Sequence, residues 1–212
     1  MSARHFTGLR DRALAALADA VAAGCRADHP ETAIGYLSRA AFEVLGDADA
    51  LTRGHLKPGE RRYFIGGYFM PSPDGTQNWL IAEVDFPPEQ HRMRIPIDYA
   101  HPGRVAREQK PLLLANTDDH GTFKQVLKSS RMGSTMFAPM FWRDRFIGQM
   151  ILAAQARNTF EQGDLDILCS FAPSAAALWM AHDGPAFLDS LVGQPGSEPF
   201  PMDRAGAEHV DK

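Results

Sequence analysis

The sequence predicts an α+β fold in which a central antiparallel sheet of about six strands carries helices on both faces. Three observations favour this fold class. Amphipathic helical patterns lie near both ends of the chain, six short apolar or alternating segments lie between them, and turn-forming residues join several of these segments into hairpins. We expect the terminal helices to cover one face of the sheet and the short helices around residues 101–131 to cover the other.

Two helices are predicted before the first strand. Residues 8–27 are rich in alanine and carry one narrow apolar stripe at helical spacing. The stripe consists of Leu14, Leu17, Val21 and Cys25. A second helix begins at Pro30, which suits the first helical position, and ends at Gly46. These faces can cover the core of the domain, and the first helix can also form a dimer interface; the pattern leaves both uses open.

A hairpin follows a polar loop. Residues 62–70 and 78–86 are rich in aromatic and branched side chains, and the turn-forming segment 71–76 separates them. Gly66 and Gly67 in the first strand predict a bulge or the close approach of another group to the backbone. Residues 92–97 and 112–114 predict two further short strands.

A second hairpin is the clearest structural signal. In residues 134–141 both alternating sets of side chains are mostly apolar, so this strand must be covered on both sides. Residues 146–154 repeat the pattern after a turn at 143–145. A capping box at 159–162 predicts the start of a last helix that runs to about His182 and bends near Cys169 because Pro173 interrupts it.

These elements predict three regions. Residues 1–46 form N-terminal helices, residues 47–184 form the sheet domain, and residues 185–212 form a largely disordered extension with one apolar patch. A net charge of -4 without a basic stripe argues against nucleic acid as a partner. The two cysteines argue against a disulfide framework or a metal cluster, and the sequence contains no signal-peptide core or membrane-spanning run. We therefore expect a cytoplasmic protein with no membrane partner.

Four segments carry a family resemblance: 101–112 (HPGRVAREQKPL), 116–120 (NTDDH), the second hairpin, and 158–168 (NTFEQGDLDIL). Their order resembles the C-terminal two thirds of a GAF domain, the small-molecule sensor module of phytochromes, phosphodiesterases and bacterial regulators. The resemblance covers most of residues 60–182 and implies a GAF-like sheet. A PAS-like sensor is the alternative fold, and the strand order separates the two.

The sequence departs from three functional classes of the family. Members that bind cyclic nucleotides carry an N-K-x-F-D-E signature, which has no match here. Phytochrome-type members attach a bilin through a cysteine, and free methionine sulfoxide reductases of this fold use cysteines that line the cavity. Cys25 and Cys169 lie instead in predicted helices. The resemblance therefore implies a ligand without naming it, and whether a cofactor binds stays unknown from the sequence.

The resemblance also implies where a ligand would bind. The family forms its cavity between the first strand, the segment after the third apolar run, a short helix and the central hairpin. The corresponding residues here are Tyr68, Asn116, Asp118, Phe123 and Met136. Asn116 and Asp118 can equally be turn and cap residues, and the phenylalanine and methionine side chains can equally be core residues.

The leading functional hypothesis is a non-catalytic, stand-alone sensor that binds a small molecule and signals through its terminal helices. We expect it to be a homodimer formed by the first helix and the helix at 161–182. The alternatives are an enzyme of this fold that acts on a small metabolite and a purely structural dimerisation module. The absence of a recognisable catalytic motif favours a protein that is not an enzyme.

Overall fold

The computed structural model describes residues 3–51, 53–121 and 131–194. They form eleven helices and strands, apart from short turns of 3-10 helix. In chain order these are α1 (Ala3–Gly24), α2 (Pro30–Val44), β1 (Phe64–Pro71), β2 (Gln77–Val84), β3 (Arg94–Pro96), α3 (Ala100–Glu108), β4 (Leu112–Leu114), β5 (Ser134–Trp142), β6 (Arg145–Ala154), α4 (Gln162–Ala181) and α5 (Gly184–Leu191). The predicted α+β fold with a six-stranded sheet is confirmed, and no helix among the described residues is long and apolar enough to cross a membrane.

The sheet has the order β3-β2-β1-β6-β5-β4, and all neighbouring strands are antiparallel. Both predicted hairpins are present. In the first, Asp74 Oδ1 accepts hydrogen bonds from Ser72 and Thr76 and so holds the turn. In the second, Arg143 and Asp144 have positive φ angles of 48° and 62°, as a tight two-residue turn requires.

The two faces of the sheet differ, and we call them the helix face and the outer face. Tyr68 of β1 and Met136 of β5 point to the helix face, where α2 and α4 cover the strands and α1 packs on these helices. Their chain neighbours Phe69 and Phe137 point to the outer face, which α3 covers. The prediction that β5 is covered on both sides is therefore confirmed, because successive side chains of a strand point to opposite faces.

Gly66 shows why the first strand carries glycine. A Cβ atom on Gly66 would lie 2.8 Å from Leu152 Cδ2 and 3.4 Å from Ser38 Oγ of α2. The pairing of β1 with β2 also shifts register between Gly66 and Tyr68, as the sequence predicted. The glycine therefore lets α2 approach the sheet, which is a packing role on the helix face.

The start of α4 corrects one prediction. Its N-cap is Glu161, and the reciprocal partner is Asp164, so the capping box lies two residues beyond the predicted segment 159–162. Thr159 instead donates its hydroxyl hydrogen to the carbonyl of Ala156. Asp164 also accepts a hydrogen bond from the Gly46 amide, which joins the start of α4 to the end of α2. The helix then continues through Pro173 to Ala181.

The region after residue 184 begins with the helix α5, which contains the apolar patch that the sequence showed before the tail predicted to be disordered from Gly193 on. Leu188 and Leu191 of α5 are buried in the core of the helix face. The ring of Phe187 packs edge-on against His29 at 4.6 Å and against Trp179 at 6.2 Å between ring centroids. The apolar patch that the sequence shows here is therefore part of the core, and residues 195–212 lie outside the described part of the chain.

Candidate functional site

The outer face has an apolar floor. Side chains from four strands, β1, β2, β5 and β6, meet there and are covered by Val105 of α3. The strand residues are Phe69, Leu80, Phe137 and Ile151. A smaller apolar group adjoins the end of the sheet where β6 finishes, and it contains Ile65, Met132 and Ala153. A floor of this kind can pack against the apolar part of a small molecule.

One polar side chain lies within this floor. Gln149 of β6 is fully buried, and its Nε2 donates a 2.9 Å hydrogen bond to the Pro102 carbonyl at the start of α3. Its Oε1 has no hydrogen-bond partner among the described residues. Gln149 therefore holds α3 on the outer face and retains one buried acceptor, a group that proteins usually satisfy.

Five charged side chains meet at the edge of the outer face, and we call them the charge cluster: Lys57, Glu60, Asp118, Arg131 and Arg157. They come from the loop before β1, the turn after β4, the residue stretch before β5 and the loop after β6. Lys57 Nζ lies 2.7 Å and Arg157 Nε lies 2.9 Å from Asp118 Oδ2. Arg131 pairs with Asp118 Oδ1, and Arg157 Nη1 pairs with Glu60 Oε2. The cluster thus joins three connections of the chain, those before β1, between β4 and β5, and after β6.

Arg157 is the buried centre of this cluster. Its side chain is 7% exposed, against 53% for Lys57 and 48% for Arg131. Its backbone amide donates to the His55 carbonyl at 3.0 Å, and its own carbonyl lies 2.9 Å from His55 Nδ1. These two bonds fix the backbone of Arg157 against the loop before β1. The ion pairs with Glu60 and Asp118 hold its guanidinium group.

Asp118 is held as a carboxylate. The hydrogen bond from Lys57, followed by the bond and charge of Arg157 and the charge of Arg131, lowers the pKa of Asp118 to about 2. Three cations on one carboxylate form an arrangement of charge-assisted hydrogen bonds that proteins also use to bind oxyanions. Asp118 therefore stays ionised at neutral pH.

The structure does not bring the predicted site residues together. Tyr68 and Met136 are fully buried on the helix face, and the Tyr68 hydroxyl donates to the Ile34 carbonyl of α2 at 2.9 Å. Asn116 and Asp118 lie in the turn after β4, outside the strands that carry Tyr68 and Met136. Phe123 lies outside the described residues. Tyr68 and Met136 belong to β1 and β5, and their chain neighbours Phe69 and Phe137 are the residues that face α3.

Asn116 has the cap role that the sequence allowed. Its Oδ1 accepts from the Asp118 amide at 3.1 Å, and its Nδ2 donates to Asp119 at 3.0 Å. These local bonds satisfy the Asn116 side chain, whereas Asp118 is bound by residues distant in sequence. Of the five predicted residues, Asp118 is the one in the charge cluster, and ligand contact by Asn116 or Asp118 stays a prediction.

The two cysteines are not part of the outer face. Cys25 is exposed just after α1, and Cys169 of α4 packs against the core of the helix face. Burial, followed by the charge of Asp166, raises the pKa of the Cys169 thiol to about 11. Within the described ranges, no group of three or more histidine, cysteine or acidic residues is placed to hold a metal ion.

A separate cleft of about 670 Å³ lies between the end of α2 and the start of β1. Phe42, Tyr63 and Phe64 line it together with Arg12 and Asp85. The Tyr63 hydroxyl donates to the Asp85 carbonyl at 2.8 Å, and burial raises the pKa of Tyr63 to about 12. Tyr63 also packs on the small apolar group that adjoins the charge cluster, so it contacts both the cleft and the outer face.

This fold has a helix layer on one face of a six-stranded antiparallel sheet and a short helix on the other, which makes it a small α+β domain. The family model for the GAF domain matches residues 10–179. The chain therefore belongs to the GAF domain family. This match excludes the PAS-like alternative. A comparison with curated protein sequences finds no significant match.

Solved structures agree on the fold. The GAF domain of an Acinetobacter phosphoenolpyruvate-protein phosphotransferase is similar at 13% identity and a TM-score of 0.62, covering 92% of this chain and 99% of that one. The corresponding domain from Coxiella burnetii is 15% identical, with a TM-score of 0.66 over 83% and 97%. A free methionine-R-sulfoxide reductase from Neisseria meningitidis, in complex with its substrate, is 14% identical, with a TM-score of 0.64 over 87% and 95%. At these identities the likeness shows a shared fold alone.

Sequence reasoning missed four of the five residues of the charge cluster. All five lie in connections outside the strands, and Arg157 follows Ala154, the last residue of β6, by three positions. Lys57, Glu60, Arg131 and Arg157 therefore had no signal in the sequence, because strand alternation does not extend to such connections.

Proposed function

We propose that this protein is a non-catalytic sensor that binds a small molecule on the outer face and transmits binding through its terminal helices as a homodimer. The observation that carries the proposal is the different composition of the two faces of the sheet. The outer face combines an apolar floor with the charge cluster, while the helices at both ends of the domain lie together on the opposite face.

The proposed dimer interface is the surface of α1 and α4. Leu14 is 68% exposed, although it belongs to the apolar stripe of α1. It borders a groove of about 320 Å³ between the two helices, whose apolar walls include Leu17, Ile167 and Phe171. Burial of this seam against a second copy would remove Leu14 from water. A stable pair should bury roughly 1,000 Å² or more in total.

Light scattering at micromolar concentration tests the dimer. We expect the wild type to have about twice the 23.3 kDa mass of one chain and Leu14→Glu/Leu17→Glu to be monomeric. Val192→Glu is the control, because it places a charge at another exposed apolar residue, which is 59% exposed. A wild-type mass near that of one chain would reject the dimer, and a dimeric double variant would place the interface elsewhere.

Native mass spectrometry of protein taken from fresh lysate tests the sensor role. We expect a small molecule to co-purify with the protein. In nuclear magnetic resonance spectra, its removal should shift the amide resonances of Phe69 and Phe137 on the outer face. Adding it back should change the fraction of dimer or the rate at which the dimer dissociates. Those two residues line the floor in the structure, whereas Tyr68 and Met136 report on the helix face. A ligand that shifts only the helix-face residues would contradict the proposed site.

An enzyme of this fold is the second candidate, since the chain shares its fold with the Neisseria meningitidis reductase. The positions of Cys25 and Cys169 away from the outer face favour the sensor over a thiol enzyme. A structural dimerisation module is the third candidate, and it would keep the dimer while binding nothing on the outer face. The mass spectrometry and light-scattering experiments separate the sensor from the dimerisation module.

A further inference from the structure

Arg157 has more hydrogen-bonding capacity than its neighbours use. Its Nε donates to Asp118, and its Nη1 donates to Glu60 and to the Gln155 carbonyl at 3.3 Å. Its Nη2 is buried, and no acceptor for it lies within hydrogen-bond distance in the described part of the chain. A buried charged donor without an acceptor is costly, so Nη2 marks the place of a missing acceptor.

The charges of the cluster point to the same kind of partner. Lys57, Arg131 and Arg157 supply three positive charges, and Glu60 and Asp118 supply two negative charges, so the ion-paired group carries a net charge of +1. One further negative charge would balance it. Because Lys57 and Arg131 are about half exposed, a ligand can reach them without unfolding the domain.

The cluster also adjoins the apolar floor. Met132 belongs to the small apolar group of the outer face, and its carbonyl accepts a hydrogen bond from Thr117 in the turn that carries Asp118. A Cβ atom on the next residue, Gly133, would lie 3.0 Å from Arg157 Cδ. The guanidinium stem therefore touches the strand start that borders the floor, and one small molecule could contact both.

We infer that the ligand of the outer face carries an oxyanion, a carboxylate or a phosphate, which the charge cluster binds through Arg157 Nη2, Lys57 and Arg131. This inference rests on the proposed sensor function, and it adds the chemical class of the ligand. Asp118 occupies part of the position of this oxyanion in the structure, because it already receives Lys57, Arg131 and Arg157 Nε. Asp118 therefore competes with the ligand for the three cations.

A nuclear magnetic resonance titration with simple oxyanions tests the inference. The probes are inorganic phosphate and acetate in separate arms, at constant ionic strength set by chloride. We expect saturable shifts of the Thr117 and Gly133 amides and of Arg157 Nε–H at millimolar probe. The stronger arm distinguishes a phosphate from a carboxylate ligand. Shifts no larger than those produced by chloride in both arms would overturn the inference.

Two variants with opposite expected effects sharpen the test. Lys57→Gln/Arg131→Gln removes two exposed cations and should weaken probe binding by about tenfold or more. Asp118→Asn removes the competing carboxylate and should strengthen it by about tenfold, which a purely structural Asp118 would not do. Arg107→Gln on α3, which is 66% exposed, is the matched control and should bind like the wild type.

The outcomes separate this inference from the sensor function. Equal binding by the wild type and Lys57→Gln/Arg131→Gln, with no gain in Asp118→Asn, would overturn the oxyanion site even if a neutral molecule occupies the floor. Probe binding that depends on the cluster, without any effect of a bound ligand on the dimer, would support the oxyanion site and reject signalling through the helices. A circular dichroism melt of each variant confirms that it is folded.

Discussion

The helix face and the outer face are built from the same six strands, yet they bury different chemistry. On the helix face Leu37, Phe171 and Trp179 pack in one continuous apolar core beneath long helices. On the outer face the apolar groups are smaller, and the buried set includes Gln149 and Arg157. Burial of apolar side chains stabilises the fold but provides no groups that form hydrogen bonds, whereas buried polar groups need hydrogen-bond partners. The helix face therefore contributes most of the apolar packing, and the outer face, with its buried polar groups, is the proposed binding face.

The largest expected effects come from truncating one phenylalanine on each face. Phe171→Ala should destabilise the protein by about 4–5 kcal/mol and Phe137→Ala by about 3 kcal/mol. Both side chains are buried, but the nine-residue helix α3 can settle into a gap on the outer face more easily than the long helices of the other face. Urea unfolding measures both values. Equal losses would show that the two faces are packed alike.

The next effect concerns the ionic part of the outer face. Arg157→Gln should cost about 2–3 kcal/mol, because it leaves Glu60 and Asp118 with a buried neutral neighbour in place of their shared cation. Arg107→Gln, an exposed arginine on the same side of the sheet, should change stability by less than about 0.5 kcal/mol. If the two variants unfold at the same urea concentration, the charge cluster does not contribute to the fold.

The sequence predicted the fold well because alternation and turn chemistry are local. Both hairpins and the doubly covered strand β5 follow from residues that are near neighbours in the chain. The site was less predictable for two physical reasons. A shift of one residue in a strand reverses the face, so a resemblance at the level of whole strands does not decide between Tyr68 and Met136 on the helix face and Phe69 and Phe137 on the outer face.

The second reason concerns the charge cluster, whose partners are separated by 39 residues for Asp118 and Arg157 and by 97 residues for Glu60 and Arg157. None of these loops shows a recognisable pattern in the sequence, and they come together only when the strands that they connect have paired into the sheet. The apolar patch of α5 was visible in the sequence, but its place over Trp179 was not, because a short amphipathic helix carries no information about its partner.

Two acidic residues should respond to pH in opposite directions, which gives a smaller and more specific comparison. The pKa of Asp118 is lowered to about 2, mainly by Lys57, from an ordinary unfolded value of about 3.9. Its contribution to stability is therefore complete above about pH 4 and is lost as the pH falls towards 2. The difference in unfolding free energy between the wild type and Asp118→Asn should shrink between pH 5 and pH 2. A difference that does not change with pH would contradict the low pKa.

Asp164 at the start of α4 provides the contrast on the helix layer. Burial raises its pKa above the ordinary value, although hydrogen bonds from Glu161 and Gly46 oppose this shift. Its folded state therefore favours the protonated form, so its contribution is complete below the unfolded pKa and is lost as the pH rises through the folded pKa. Relative to Asp164→Asn, the wild type should lose stability as the pH rises from the unfolded pKa of Asp164 through its folded pKa. A gain in the same interval would show that the cap bonds outweigh burial.

The smallest expected effects come from the cysteines, because neither belongs to the proposed site. Thiol chemistry needs the thiolate, and the raised pKa of Cys169, about 11, leaves almost none at neutral pH. Cys25 is exposed after α1, at the layer opposite the outer face. Cys25→Ser and Cys169→Ser should therefore leave phosphate binding unchanged and show no loss of reductase activity. The measurement is turnover of free methionine-R-sulfoxide with dithiothreitol in the wild type and both variants, beside the phosphate titration. Wild-type turnover that either substitution abolishes would make the protein a thiol enzyme and would place its chemistry among the helices rather than on the outer face.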